Sequence, residues 1–348
     1  MAPNAKKWPS REGFTADALG NFISRSLLDP WKLLPIFALV QYTAKGRDIA
    51  KARPNFYKAL KHLTAICLIS RLGKWLDHRM LNNSVSDVYD WNREVVILTG
   101  GSNGIGRRIA ELLGARDIKV AILDISLPAT DDVLPNSVRY YQCDITSTTA
   151  IGDVATRIRA SFGRPSILIN NAGICTTKTI LKTTPAQTRH VFEVNTLAHY
   201  WLAHEFLPDM IEANHGMVVT VASLAGYIAT PNMVDYSASK AAALAFHEGL
   251  AAELVTRYHA PRIRTVLVTQ GFTRTNFLGD LTPEDTWLNP LLYPETVAEE
   301  LVRQVLKGES GHIVVPASAG WIAKRLRGFP GWLQHSMRCT LEKLMRAG

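Results

Sequence analysis

Cysteine is scarce in this chain. The four present among 348 residues, Cys67, Cys143, Cys175 and Cys339, lie far apart and form no CxxC pair. That spacing argues against a metal site or a disulfide framework and suits reduced thiols in a cytosol-facing protein. Long apolar runs are lacking as well. The patches Leu33 to Val40 and Leu63 to Ile69 are short, the first interrupted by Pro35; a bilayer-spanning helix needs about 20 mostly apolar residues. Met1 to Gly20 is polar and has no apolar stretch of the kind a secretory signal carries, so no cleaved leader is expected. Net positive charge is missing from the middle of the chain. Residues 1–92 hold 14 Lys+Arg against 7 Asp+Glu and residues 317–348 hold 6 against 1, whereas residues 93–316 hold 19 against 22. A slightly acidic centre between basic ends does not make a nucleic-acid groove; it leaves the flanks to meet an anionic surface.

What is present alternates. From Arg93 onward, short apolar runs (Val95 to Leu98, Lys119 to Ile125, Val138 to Cys143, Ile167 to Ile169, Gly216 to Ala222, Arg264 to Val268, His312 to Val315) read as strands. Between them Thr148 to Phe162, Pro185 to Met210, Tyr236 to Arg257 and Pro294 to Leu306 carry helical spacing. This pattern predicts an α/β fold, a doubly wound parallel sheet of Rossmann type, as a single catalytic domain over 93–316. Helical extensions are expected on both sides, a basic, partly amphipathic one over 1–92 and a basic, aromatic one over 317–348. Phe56, Leu60, Leu63 and Cys67 fall at near-helical spacing between basic residues, with Trp75 nearby, as in helices that lie in a membrane interface; packing on the main domain or dimerisation is the alternative. Asn82 to Asp90 reads as a linker into the first strand.

Directly after the first strand comes Thr99-Gly100-Gly101-Ser102-Asn103-Gly104-Ile105-Gly106, followed by helical spacing from Arg107. Strand, glycine-rich turn and helix together let backbone amides and a helix N-terminus face a pyrophosphate. Asp124 closes the second strand about 20 residues later, where a carboxylate accepts hydrogen bonds from ribose hydroxyls and repels a 2′-phosphate. With Asn103 and Ile125 uncharged, NAD(H) is favoured and NADP(H) stays open.

From roughly Glu94 to Pro316 the chain resembles the short-chain dehydrogenase/reductase family. The resemblance rests on the TGxxxGIG turn at Thr99 to Gly106, on Asp144 after strand three, and on Asn170-Asn171-Ala172-Gly173. It continues with Asn195, Ser223, and Tyr236-Ser237-Ala238-Ser239-Lys240 as YxxxK. It implies a catalytic set of Asn195, Ser223, Tyr236 and Lys240. It also implies cofactor contacts from Gly100, Ser102, Asn103, Gly104, Ile105, Gly106, Asp124, Asp144, Asn171, Ala172, Gly173, Tyr236, Lys240, Thr273 and Thr275. No metal is implied. The family's Pro-Gly pair is Gln270-Gly271 here, which predicts a less rigid loop.

The chemistry accounts for these residue types. A free tyrosine, with a pKa near about 10, is a poor base at neutral pH. Lys240, one helical turn beyond Tyr236, is placed to bring its ammonium towards the phenol. Ser223 can hydrogen-bond a substrate oxygen, and by the family's pattern Asn195 anchors a water between Lys240 and solvent. The segment from Phe272 to Tyr293 reads as a lid, with Phe277, Leu278, Leu281, Trp287, Leu288, Leu291 and Leu292 apolar. The tail adds Trp321, Ile322, Leu326, Phe329, Trp332 and Leu333 among basic residues.

The expectation is an NAD-dependent enzyme interconverting a lipophilic alcohol and its carbonyl. It resembles the membrane- or lipid-droplet-associated members acting on retinoids, steroids or long-chain alcohols, on a cytosol-facing surface of the endoplasmic reticulum or a lipid droplet. A soluble, cytoplasmic enzyme for a polar or polyketide-like metabolite and a non-catalytic NAD-binding scaffold are the alternatives. The family often pairs through its long helices, which leaves a homodimer as a further expectation.

Overall fold

The computed structural model describes residues 11–26, 28–126, 134–275, 277 and 286–342. Two of the apolar lid positions, Leu278 and Leu281, lie outside them.

The sheet has seven parallel strands: β1 (Val95–Thr99), β2 (Lys119–Asp124), β3 (Val138–Gln142), β4 (Ile167–Asn170), β5 (Met217–Val221), β6 (Arg264–Gln270) and β7 (Gly311–Val315). Their order is β3-β2-β1-β4-β5-β6-β7. In register, Val96 pairs with Val120 on one side and Ile167 on the other. Successive residues of a strand point to opposite faces, so the continuous apolar runs bury both. One face packs Ile97, Leu123 and Leu168 against α6 (Thr148–Phe162) and α8 (Ala198–Ala213). The other packs Val96, Ile122 and Val219 against α5 (Gly104–Gly114) and α10 (Pro294–Leu306). Strand direction then sends every βα turn to one edge of the sheet, where open α/β sheets bind ligands.

The expected helix over 185–210 is interrupted. α7 (Pro185–Phe192) passes into a π-helical turn over Glu193–Leu197 before α8 begins. Asn195 sits in the middle of this turn, and such bulges concentrate at functional sites. The last long helix over the site is α9 (Val234–Thr256).

Before the sheet come α1 (Ala16–Ser26), α2 (Pro30–Tyr42), α3 (Ala44–Ala52) and the 28-residue α4 (Pro54–Leu81). α2 and α4 share a small core of Leu33, Val40, Leu60 and Cys67. The amphipathic set read from the sequence therefore divides. Leu60 and Cys67 face inward, whereas Phe56 and Leu63 are exposed together with Ile66, Ile69, Leu72 and Trp75. No helix among the described residues is long and apolar enough to cross a membrane.

The segment over 82–94 is fastened along its length. The buried Arg264 guanidinium donates to the carbonyls of Asn82 and Val85, and the Tyr89 hydroxyl donates to Gly216 O at 2.6 Å. His215 bridges Asp87 at 2.8 Å and Glu94 at 3.3 Å. The hydrogen bond to Glu94 holds the imidazole above its ordinary pKa, against the opposing effect of burial. A histidine whose pKa rises on folding adds stability that is fully present below its unfolded value and is lost as pH rises through the folded one. His215→Gln is expected to destabilise by about 1–2 kcal/mol at pH 5.5 and by clearly less at pH 9, read from urea unfolding. An equal loss at both pH values would rule out the charged bridge.

Candidate active site

Hydrogen bonds between turns build the site. The Thr99 hydroxyl accepts from the backbone amides of Asn171 and Ala172, each at 3.0 Å, and the Asn171 side-chain Nδ2 donates to the carbonyls of Thr99 and Gly100. The turn after β1 and the turn after β4 are thereby one unit. Gly106 closes it, for a Cβ there would lie 2.1 Å from Gly100 O. Gly100 has φ +67°, and a Cβ on it would meet Ala172 Cα at 2.8 Å.

The same chain of contacts continues to the catalytic helix. Asn195 Oδ1 accepts from Ile174 N at 2.8 Å, and Nδ2 donates to Ile174 O and Ser239 Oγ. Ser239 Oγ donates to Tyr236 O at 2.8 Å. Both amide hydrogens of Asn195 are thus used on protein, which narrows the expected water-anchoring role to a remaining lone pair on Oδ1. That oxygen and Lys240 Nζ both face Gly173, at 3.3 and 3.4 Å from where its Cβ would be.

Tyr236, Ser223 and Lys240 are brought together, all buried. Ser223 follows β5; its hydroxyl accepts from Ala225 N and donates to Gln270 O at 3.4 Å, and its position beside Tyr236 favours a lower pKa for the phenol. Burial works the other way and prevails, so the Tyr236 phenol stands well above its usual range. Lys240 Nζ lies 5.9 Å from the centre of the Tyr236 ring and donates to Val221 O at 2.8 Å. The expected activation of the phenol by the ammonium is therefore not in force here, because Lys240 is held by a strand carbonyl. Burial lowers Lys240 to about 8.

A cavity of about 980 Å³ runs along this edge. One part is lined by Gly100, Asn103, Gly104, Ile105, Gly106, Asp124, Asp144, Asn171, Ala172 and Gly173, and another by Ser223, Tyr236, Lys240, Gln270, Thr273 and Thr275. Ser102 and Asn195 are the two expected residues that do not line it. Ser102 Oγ turns inward to Ser126 O at 2.7 Å while its amide donates to Asp124 Oδ2. Its work is to hold the turn to the end of β2. Asp124 takes a second amide, Ser126 N, on Oδ1, and Asp144 accepts from the amide and hydroxyl of Thr146.

The loop after β6 is firmer than the missing proline suggested. Gly271 N donates to Val315 O, Leu292 N to Phe272 O and Arg274 N to Leu292 O, so the described part is tied to β7 and to the far side of the lid. Gln270 Oε1 is buried there without a hydrogen-bond partner among the described residues.

These features fit a nicotinamide dinucleotide. Asn103 caps α5 without using its side chain, so the first amides of that helix are left for phosphate. Gly100 and Gly106 permit close backbone approach, and the orphaned Gln270 oxygen is an acceptor in the same cavity as Tyr236.

Sequence reasoning missed several contributors. Cys175, Ile228 and Met233 line the cavity beside Tyr236, and burial raises the Cys175 thiol to about 11. Met337 and Leu341 reach it from the C-terminal end of the chain. His199, one turn past Asn195, is pushed down to about 3 by burial and by the Lys240 charge.

A parallel-sheet dinucleotide fold carrying a buried Ser-Tyr-Lys set defines an oxidoreductase, and the comparisons with known proteins agree. The family signature for short chain dehydrogenases covers residues 94–286, and the chain belongs to that family. It is 47% identical over 209 residues to Dehydrogenase RED2 of Cochliobolus heterostrophus, spanning 59% of this chain and 78% of that one. It is 33% identical over 243 residues to human Estradiol 17-beta-dehydrogenase 11, spanning 68% and 79%. Among solved structures, a short chain dehydrogenase from Burkholderia cenocepacia in complex with NADP superposes with a TM-score of 0.60 at 27% identity, covering 73% of this chain and 99% of that one. The protein is an NAD(P)-dependent oxidoreductase.

Proposed function

We propose that the protein interconverts a lipophilic alcohol and its carbonyl, with Tyr236 as the proton-transferring group. The observation carrying this reading is that Ser223, Tyr236 and Lys240 share one cavity with Ile228, Met233, Phe277, Leu288 and Ile322. Phe277 packs edge-on against Tyr236 with ring centres 5.4 Å apart. A polar substrate would leave its hydroxyls unpaired against such walls, a cost of about 1–3 kcal/mol each.

A bound nicotinamide dinucleotide supplies the hydride acceptor or donor. Ser223 donates to the substrate oxygen and stabilises the charge that develops there. Tyr236 takes the hydroxyl proton in oxidation and returns it in reduction. Lys240, once turned from Val221 O towards the phenol, lowers its pKa by direct charge interaction. Asn195 Oδ1, facing the same space as Lys240 Nζ, is the acceptor that supports a water relay there. Tyr236→Phe is expected to reduce kcat by about 10²–10⁴-fold with dinucleotide affinity unchanged, measured by stopped-flow turnover and by cofactor fluorescence. A variant retaining a tenth of the wild-type rate would overturn the assignment.

NAD(H) is the preferred cofactor on this reading. The Asp124 carboxylate lines the cavity, oriented by two backbone amides, and no basic side chain replaces it at Asn103 or Ile125. Asp124→Ser should narrow the ratio of kcat/KM for NAD over NADP at least tenfold. A wild-type preference for NADP would sink this part.

The helices before the sheet attach the enzyme to a cytosol-facing membrane or lipid-droplet surface. Trp31, Leu39, Ile66, Ile69, Leu72 and Trp75 are exposed on α2 and α4, with Lys58, Lys61, Arg71 and Lys74 among them, the combination that favours an anionic interface. The purified chain is expected to float with vesicles containing anionic lipid, and Ile66→Glu with Ile69→Glu should abolish flotation without loss of turnover. Wild-type protein that stays at the bottom of the gradient would refute surface attachment.

A further inference from the structure

The C-terminal end of the described chain is built into the cavity that holds Tyr236. After β7 the chain forms α11 (Ala317–Arg325), a short turn over Leu326–Gly328, and α12 (Gly331–Thr340). α11 belongs to the folded body, with Gly320 and Ala323 buried. α12 does not. None of its residues is buried, and Trp332 on it is 73% exposed. Yet Met337, and Leu341 just past its last turn, line the cavity; four residues apart, they share one face. Its start is held mainly by polar contacts: the Gln334 amide donates to Arg327 O and Phe329 O. Gly328, which ends the turn, and Gly331, which begins α12, have open space where a side chain would stand.

An apolar helix face with no protein core beneath it needs another apolar surface, and the one adjoining it is the interior of the catalytic cavity. We propose that α12 is the outer wall of the site for the hydrocarbon end of the substrate, with Met337 and Leu341 setting how long a chain the enzyme accepts. The occupant is the apolar end of a long-chain alcohol whose oxygen sits at Ser223 and Tyr236; the inference rests on the alcohol-oxidising reading for that orientation. Met337 suits the task, because methionine is flexible and fills gaps of varying shape. Because α12 contributes nothing to the core, substitutions on its inner face leave the fold intact.

The test is a series of primary alcohols from four to sixteen carbons, assayed with NAD on wild type, Met337→Trp and Met337→Ala. In wild type, kcat/KM should climb by up to about fourfold for each methylene added that packs against α12. Met337→Trp should leave short alcohols within twofold and reduce long ones at least tenfold, whereas Met337→Ala should move the optimum to longer chains. In parallel, binding of a fluorescent polyene alcohol to the NADH-loaded protein is titrated for the same variants. Weaker probe binding in Met337→Trp, with no alcohol turned over by wild type, would keep the wall and remove the alcohol-oxidising reading. Unchanged probe binding, or equal loss for short and long alcohols, would overturn the role of α12.

Discussion

One run of hydrogen bonds holds the site together, and most of the remaining geometry follows from it. It starts at the Thr99 hydroxyl, crosses to Asn171 and Ala172, resumes at Ile174 with Asn195, and ends through Ser239 at the backbone of Tyr236. Four segments distant in sequence are joined: the turns after β1 and β4, the π-helical turn and the first turns of α9. All of these groups are buried or half-buried, where a lost partner is costly and a satisfied network is stiff. The glycine turn and the catalytic helix therefore cannot shift independently. Nothing but short side chains and backbone carries the link, so it has little conformational slack.

Much of this was legible beforehand because it depends on local pattern. The β-branched runs and the helical spacing placed the seven strands to within two residues and the intervening helices to within three. The glycine turn, Asp124, Ser223, Tyr236 and Lys240 stand at strand ends or helix starts, where the fold makes their position predictable. Asn195 was found through the family pattern, but its interruption of the helix was not. A one-residue bulge leaves apolar spacing almost unchanged and so has no periodic signature. Lys240's bond to Val221 O was equally hidden, since it depends on where a strand carbonyl lies relative to a helix that follows it at a distance in the chain.

The helices before the sheet illustrate a different limit. Leu60 and Cys67 could be grouped with Phe56 and Leu63 by spacing alone, but only the first two meet α2. α4 carries apolar residues around most of its circumference, and periodicity cannot say which stripe finds a protein partner and which stays outside. The contribution of α12 was invisible for a related reason. Its apolar residues read as generic tail composition until β7 and α11 bring them to the cavity.

The residues just ahead of α1 and within its first turn tie the two ends of the chain to each other. Arg11 pairs with Glu299, Glu12 accepts from Tyr293 N and the Thr296 hydroxyl, and Asp17 accepts from the amides of Ala317 and Ser318 at the start of α11. Ala16 N donates to Trp287 O within the lid. α11 thus owes the satisfaction of its first amides to a carboxylate 300 residues upstream. A change that removes Asp17 strips the cap from a helix that borders the cavity, so the segment ahead of the sheet cannot be altered there without disturbing a wall of the site.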